Sequence, residues 1–279
     1  MTSLIKKISL SNSVSIEQLG FGTFKIVDQQ EANNAVKTAL NNGYRAFDTA
    51  QLYNNEKILG EAFVNSGVAR QELFLTTKVS NLNQGYEQTL KSFEQSLKDL
   101  QTDYLDLFLV HWPLKNHFFD TWKAIEQLYE TKMVRAIGVC NFHQSHFELL
   151  KTRANIKPMI NQIEIHPYLV QKELIEYLNK EQIAIEAWSP LARGRVVEEP
   201  LLINIGQKYQ KSSSQVTLRW HVQKDLIVIP KSVNPLRIAE NMQIFDFELT
   251  DTEMQQIDSL NEDFRTGPNP DNVYQKNGF

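Results

Sequence analysis

Residues 73–111 read LFLTTKVSNLNQGYEQTLKSFEQSLKDLQTDYLDLFLVH and hold one complete strand–helix–strand unit. The opening run (73–78) and the closing run (104–111) are short and rich in Leu, Val and Phe, as strands buried on both faces should be. Between them, residues 84–100 place Leu90, Phe93 and Leu97 at helical spacing. A strand followed by a helix and a second strand argues for parallel pairing.

The same pattern runs outward in both directions. Further strand candidates at 18–22, 44–48, 134–139, 159–163, 183–188 and 226–229 bring the number to eight. Helical stripes lie at 30–41 (Ala35, Ala39, Leu40), at 121–130 (Trp122, Ile125, Leu128), at 145–153 and at 172–180. This repetition predicts an α/β fold with a parallel sheet. Eight strands suggest closure into a (β/α)8 TIM barrel, although an open doubly wound sheet has the same local pattern. Residues 6–18 read as two short strands around an Asn-Ser turn, an N-terminal β-hairpin. Helical stretches at 200–210, before 213–223, and at 250–260, after 235–241, exceed the plain alternation and are expected as two auxiliary helices.

The chain has 279 residues, near the roughly 250 typical of one such barrel, though two ordinary domains also fit that length. No linker or low-complexity tract divides it, so residues 1–279 are expected to form a single domain. A formal net charge of −4 leaves no basic footprint for nucleic acid or for an anionic membrane surface. The single cysteine, Cys140, excludes an intrachain disulfide and fits a reducing compartment. No secretory leader or bilayer-length apolar run is present, so a cytoplasmic protein, most simply a monomer, is expected.

The chemistry is written at the strand ends. Asp48 ends the second strand candidate, Lys78 the third and His111 the fourth; Asn141 lies just past the fifth. Gln162 is near the end of the sixth, Trp188 ends the seventh, and Lys231 follows the eighth. In a parallel barrel these ends share the C-terminal rim, where active sites sit. Tyr53, five residues beyond Asp48, can fold back over the same mouth. Taken singly, each has a bland reading: Asp48 a turn former, Tyr53 a packing residue, Lys78 a snorkelling terminus, His111 a core histidine. Together, an acid, a phenol, an amine and an imidazole suit carbonyl reduction, because hydride arriving at carbon leaves charge on oxygen that needs a proton. On this reading Lys78 lowers the pKa of the Tyr53 phenol from its reference of about 10, Asp48 holds Lys78, and His111 orients the carbonyl.

Familiar signatures are missing. Gly20-Phe21-Gly22 lacks the rest of a GxGxxG fingerprint, and neither GxxxxGK[ST] nor GxSxG occurs. His143 and His146 lie three apart without HExxH or paired cysteines, so no metal is expected. In residues 229–241, IPKSVNPLRIAEN, a cation, a hydroxyl and a helix start (Lys231, Ser232, Arg237) can hold an anion, or can equally be a solvated basic surface.

The strings LGFGTFK, YRAFDTAQLYNNE, LFLTTKV, YLDLFLVHWP, IGVCNF, NQIEIHPYL, WSPLARG and IPKSVNPLRIAEN, in this order, make the chain resemble the aldo-keto reductase superfamily over essentially its full length. Its short loops are similar to those of bacterial diketogluconate and glyoxal reductase-type members. The resemblance implies NADPH as cofactor, no metal, a small-molecule carbonyl substrate, and Asp48, Tyr53, Lys78 and His111 as a catalytic tetrad with Tyr53 the general acid. It also implies that Asn141 and Gln162 hold the nicotinamide carboxamide and that Trp188 is the platform under the ring. Gly22 and Thr23 fall near the nicotinamide ribose, and Ser189, Leu191 and Arg193 in the loop over the pyrophosphate. Lys231, Ser232, Val233, Arg237, Glu240 and Asn241 fall at the adenosine 2′-phosphate and adenine. Phe24, Trp112 and Phe118 would line the substrate pocket. Cys140 stands where a serine is common, and Phe24 where a tryptophan is frequent. The resemblance implies reduction of aldehydes, α-dicarbonyls or keto-sugars. Two other readings remain: a non-catalytic nicotinamide-binding subunit or sensor, and a Schiff-base lyase using Lys78.

Overall fold

The computed structural model describes residues 5–115 and 117–273. Eight strands follow one another in a single sheet: β3 (Phe21–Gly22), β4 (Ala46–Asp48), β5 (Phe74–Val79), β6 (Leu105–Val110), β7 (Val134–Cys140), β8 (Ile160–Glu164), β9 (Ala184–Trp188) and β10 (Ile227–Val228). Every neighbouring pair is parallel. The ring closes where Leu19 bridges Val228 in parallel. There the Gly20 N–H donates to Val228 O at 2.8 Å, and the Val228 N–H to Gln18 O at 2.9 Å. The open-sheet alternative is thereby excluded, and the fold is the expected (β/α)8 barrel.

The two strands at this seam are shorter than the expected spans 18–22 and 226–229. Backbones approach closely here: a Cβ on Gly22 would lie 2.7 Å from the Ile229 carbonyl oxygen. Regular pairing survives only at the seam's centre.

An antiparallel hairpin, β1 (Lys7–Ser9) with β2 (Ser15–Glu17), lies against the N-terminal ends of the barrel strands. Asn12 Nδ2 donates to Arg135 O at 2.9 Å, and Glu17 Oε2 accepts from the Arg45 N–H at 3.2 Å. Both contacts reach the start of a barrel strand, which leaves the opposite rim open for chemistry.

The helices that return the chain are α1 (Gln29–Asn41), α2 (Glu56–Asn65), α3 (Tyr86–Asp99), α4 (Phe118–Glu130), α5 (Gln144–Lys151), α6 (Lys172–Lys180), α8 (Ser213–Gln223) and α9 (Pro235–Met242). The auxiliary pair is α7 (Pro200–Tyr209) and α10 (Asp251–Asp258), joined where Lys208 Nζ and Tyr209 OH reach Glu253 at 2.8 and 2.7 Å. Helix α2 has no counterpart among the expected elements, although Leu59, Ala62 and Phe63 form its buried stripe. Among the described residues no helix is long and apolar enough to cross a membrane.

Inside the wall, packing leaves no room at Gly138, which pairs with Leu109 across β6 and β7. A Cβ there would meet Ile160 Cγ2 at 2.5 Å, the Ile160 carbonyl oxygen at 2.6 Å and Leu109 Cδ2 at 2.9 Å. Gly138→Ala is therefore expected to cost about 1–3 kcal/mol of stability, because the backbone oxygen cannot move aside. Urea denaturation measures this; an unshifted midpoint would show that the wall has slack.

Candidate active site

Three strand ends and one turn build the centre of the site. Asp48 is the last residue of β4, Lys78 lies near the end of β5, and His111 directly follows β6. Tyr53 closes a short 3-10 turn, Gln51–Tyr53, after which Asn54 adopts a left-handed φ of 53°. The turn is clamped by Asn55: Thr49 Oγ1 donates to its Oδ1 at 2.7 Å, and its Nδ2 donates to Thr23 O at 2.9 Å. This use of the Asn55 side chain explains why it does not cap α2, whose N-terminus it occupies.

Lys78 Nζ lies 2.6 Å from Asp48 Oδ1, 2.8 Å from Thr49 O and 3.4 Å from the Tyr53 hydroxyl. Its side chain is fully buried and that of Asp48 nearly so. The Tyr53 ring meets His111 edge-on, with centroids 5.9 Å apart, and packs on Phe24 at 4.9 Å. The four tetrad residues are thus brought together.

One expectation is corrected here. The Tyr53 phenol is pushed up to about 12, not down: burial dominates, and the pull of Lys78 only partly offsets it. The Asp48 carboxylate adds to the upward push. Lys78 carries less weight because Asp48 already neutralises it at close range. Burial disfavours the Lys78 ammonium, but the Asp48 carboxylate outweighs it and raises its pKa. Burial, with Lys78 in support, drives His111 well below the usual imidazole value, so it is neutral. His111 Nδ1 is buried with no hydrogen-bond partner among the described residues.

The residues expected at the nicotinamide join the same network. Asn141, in a left-handed conformation (φ 64°), donates from Nδ2 to His111 O at 3.0 Å and accepts the Trp188 indole N–H at 2.8 Å. Its Nδ2 also lies 3.1 Å from Cys140 Sγ. Gln162 Nε2 donates to Asp48 Oδ2 at 2.7 Å and to Glu186 Oε2 at 2.6 Å. Gly22 pairs with Asp48, and buried Thr23 donates its hydroxyl to Asp48 O at 2.9 Å.

The loop after Trp188 carries Ser189 and Arg193 at positive φ (51° and 53°), with Leu191 half-buried between them. Beyond β10, Lys231 is exposed, Ser232 and Val233 are half-buried, and Arg237 is exposed in the first turn of α9. Asn234 caps that helix, its Oδ1 accepting from the Leu236 and Arg237 N–H groups at 2.9 and 3.3 Å. Glu240 is exposed and Asn241 buried one turn on. Among the described residues Arg193, Lys231 and Arg237 make no ion pair.

Of the expected pocket residues, Phe24 is about half exposed, 47%, and lies over Tyr53. Trp112 is buried beside His111, in a cluster with Leu114, Val273 and Trp188. Phe118 is buried against Phe119 and Phe142, and borders a groove of about 510 Å³ between Pro113, Leu114, Lys115 and His117 on one side and Pro270, Asp271 and Val273 on the other.

That tail was not foreseen as part of the site. Thr266 donates from both N and Oγ1 to Glu164, at 2.6 and 2.5 Å, and Gly267 packs so closely on Trp188 that a Cβ would lie 2.5 Å from the indole. Asp271 meets His143 Nδ1 at 3.0 Å and His146 Nε2 at 3.6 Å, bringing three possible metal-ligating residues together. The His143 N–H donates to His146 Nδ1 at 3.0 Å, which leaves a neutral His146 with its proton on Nε2, facing Asp271. The cluster reads as a hydrogen-bonded latch on the tail.

The C-terminal rim of a parallel barrel thus carries a buried Asp–Lys pair beside a phenol, with a neutral imidazole next to it. Residues 18–262 match the Aldo/keto reductase family. The chain is 51% identical over 272 residues to the glyoxal reductase of Bacillus subtilis (strain 168), covering 98% of this chain and 99% of that protein. The solved aldo/keto reductase of Brucella melitensis superposes with a TM-score of 0.89 at 47% identity, covering 92% of this chain and all of that one. A Gox0644 mutant solved in complex with NADPH superposes at 0.92 with 39% identity, covering 96% of this chain and 98% of that one. The chain belongs to the aldo/keto reductase family.

Proposed function

We propose that this aldo/keto reductase is a single-domain, NADPH-dependent enzyme that reduces small aldehydes, α-dicarbonyls or keto-sugars to alcohols, with Tyr53 as general acid. The observation that carries this reading is the Tyr53 hydroxyl 3.4 Å from Lys78 Nζ, itself 2.6 Å from Asp48. Bound NADPH supplies a hydride to the carbonyl carbon. Tyr53 keeps its proton through the neutral range and gives it up to an alkoxide, a stronger base than the phenolate. Neutral His111 donates one hydrogen bond to the carbonyl oxygen, and its unsatisfied ring nitrogen marks where the site awaits a polar partner. Lys78 is held charged by Asp48, so it lacks the lone pair that a Schiff-base lyase needs.

The residues present fit the coenzyme. Arg193, Lys231 and Arg237 are exposed cations that make no ion pair among the described residues, the donor set a phosphate requires. Gln162 Oε1 and the half-buried Trp188 supply an acceptor and an aromatic face at the rim. The glyoxal reductase relative supports α-dicarbonyls as the first compounds to try. A panel of carbonyls added to protein and NADPH, followed by loss of NADPH absorbance, tests the reading; no consumption with any carbonyl would overturn it.

Arg237→Ala is expected to weaken NADPH by roughly tenfold or more, since a charged hydrogen bond contributes about 1.5–3 kcal/mol, while NADH is nearly unaffected. Equal loss for both coenzymes, measured by fluorescence titration, would move the 2′-phosphate elsewhere.

A further inference from the structure

The barrel interior holds a second carboxyl that the chemistry above does not use. Glu186 lies in β9, in register with Gln162 on one side and Ile227 on the other, and is 1% exposed. Trp188 is two residues further along the same strand, so Glu186 sits one side-chain layer beneath it.

An amide nitrogen has two hydrogens. Gln162 commits one to Asp48 and the other to Glu186, at 2.7 and 2.6 Å. Flipping the amide would press its oxygen against the Asp48 carboxylate, so its orientation is fixed. Among the described residues Gln162 Oε1 accepts only the Cys140 thiol, at 3.7 Å, and keeps a second lone pair.

Charge gives a second constraint. Among the described residues the interior contains one ammonium, Lys78, already 2.6 Å from Asp48. Glu186 has no cation partner among the described residues, and a buried carboxylate without one is unfavourable. Burial first, then the Asp48 charge, push Glu186 up to about 8. The groups facing it are Asp48 on β4, Lys78 on β5 and Cys140 on β7, with Tyr53 and His111 above them. Lys78 stays charged, Cys140 is held neutral by burial, Tyr53 keeps its proton and His111 is already neutral. Glu186 is the interior group that changes charge just above neutrality.

We propose that Glu186 is a positioning residue for the coenzyme: its carboxyl oxygen holds the Gln162 amide in either protonation state, and loss of its proton favours the oxidised, positively charged nicotinamide over the reduced, neutral one. The proposal rests on the coenzyme reading above. Reduced coenzyme binds best while Glu186 is neutral; oxidised coenzyme gains as the carboxylate forms beneath Trp188.

The test is the ratio of dissociation constants, NADP+ over NADPH, from quenching of tryptophan fluorescence at a series of pH values. The 2′-phosphate is common to both, so its own titration cancels. In the wild-type chain the ratio should fall roughly tenfold between about pH 6.5 and 9, the size a charge at one layer's distance produces. Glu186→Gln keeps the acceptor for Gln162 and cannot ionise, so its ratio should be flat. Glu186→Leu removes the acceptor and should weaken both coenzymes at every pH, and Glu186→Gln should restore the binding that Glu186→Leu loses. Should Glu186→Leu fail to fold, the pH series of Glu186→Gln still decides. A flat wild-type ratio, or the same slope in Glu186→Gln, overturns the proposal while leaving the coenzyme reading intact. Failure of the wild-type chain to bind either coenzyme overturns both.

Discussion

Replacing Tyr53 by Phe should lower kcat by about 10²-fold or more while leaving the NADPH dissociation constant within about twofold. The substitution removes one hydroxyl and nothing else of consequence to packing. The ring keeps Phe24 at 4.9 Å and His111 at 5.9 Å. Lys78 retains Asp48 Oδ1 and Thr49 O, at 2.6 and 2.8 Å, so no buried charge is stranded. The loss falls on the proton, because neutral His111 holds its one hydrogen for orientation. A kcat within about threefold of wild type, in single-turnover measurements, would show that water or His111 supplies the proton. The pH dependence follows in sign. A phenol pushed up to about 12 is protonated at all lower pH, so the acid is fully present at neutrality and lost only as pH climbs towards that value. An acid limb near neutrality cannot therefore be assigned to Tyr53.

Most of the rim was legible in the sequence because a parallel barrel turns strand ends into neighbours. Asp48, Lys78 and Trp188 each finish or nearly finish an apolar run, and the fold alone brings such ends to one face. What escaped depended on contacts between distant segments. Closure needs Leu19 beside Val228, and no local pattern signals that meeting. Helix α2 was hidden because its start is taken up by Asn54 and Asn55, which look like turn residues and do serve the Tyr53 turn. Glu186 sits inside the run IAIEAW, where a lone acid has no visible partner until Gln162 arrives from the next strand. The tail lies over Trp188 by way of Glu164, about a hundred residues upstream, and of His143, also far away in the chain. The direction of the Tyr53 shift was misjudged for a related reason. Sequence names the neighbouring charge, but burial decides how far that charge is offset and how much solvent the phenol has lost.

Lys78→Met should be the most damaging single change in the site, costing about 3–5 kcal/mol of folding stability and removing measurable reduction. Methionine fills most of the space, so the loss is electrostatic. Asp48, 3% exposed, would keep only the Gln162 amide and face Glu186 across it without a cation. Burial already raises the Asp48 carboxyl against the pull of Lys78, and without that pull the folded protein would bind the Asp48 proton still more tightly. A raised folded-state pKa contributes stability at low pH and loses it as pH rises through that value. The deficit of Lys78→Met relative to wild type should consequently be smaller at about pH 5 than at about pH 8. Adding Asp48→Asn, which removes the stranded charge, should recover part of the stability and none of the activity. Urea denaturation of the single and double variants at both pH values separates these outcomes. A single variant as stable as wild type, or a double variant no better than the single, would mean that the Asp48–Lys78 pair does not hold the rim together.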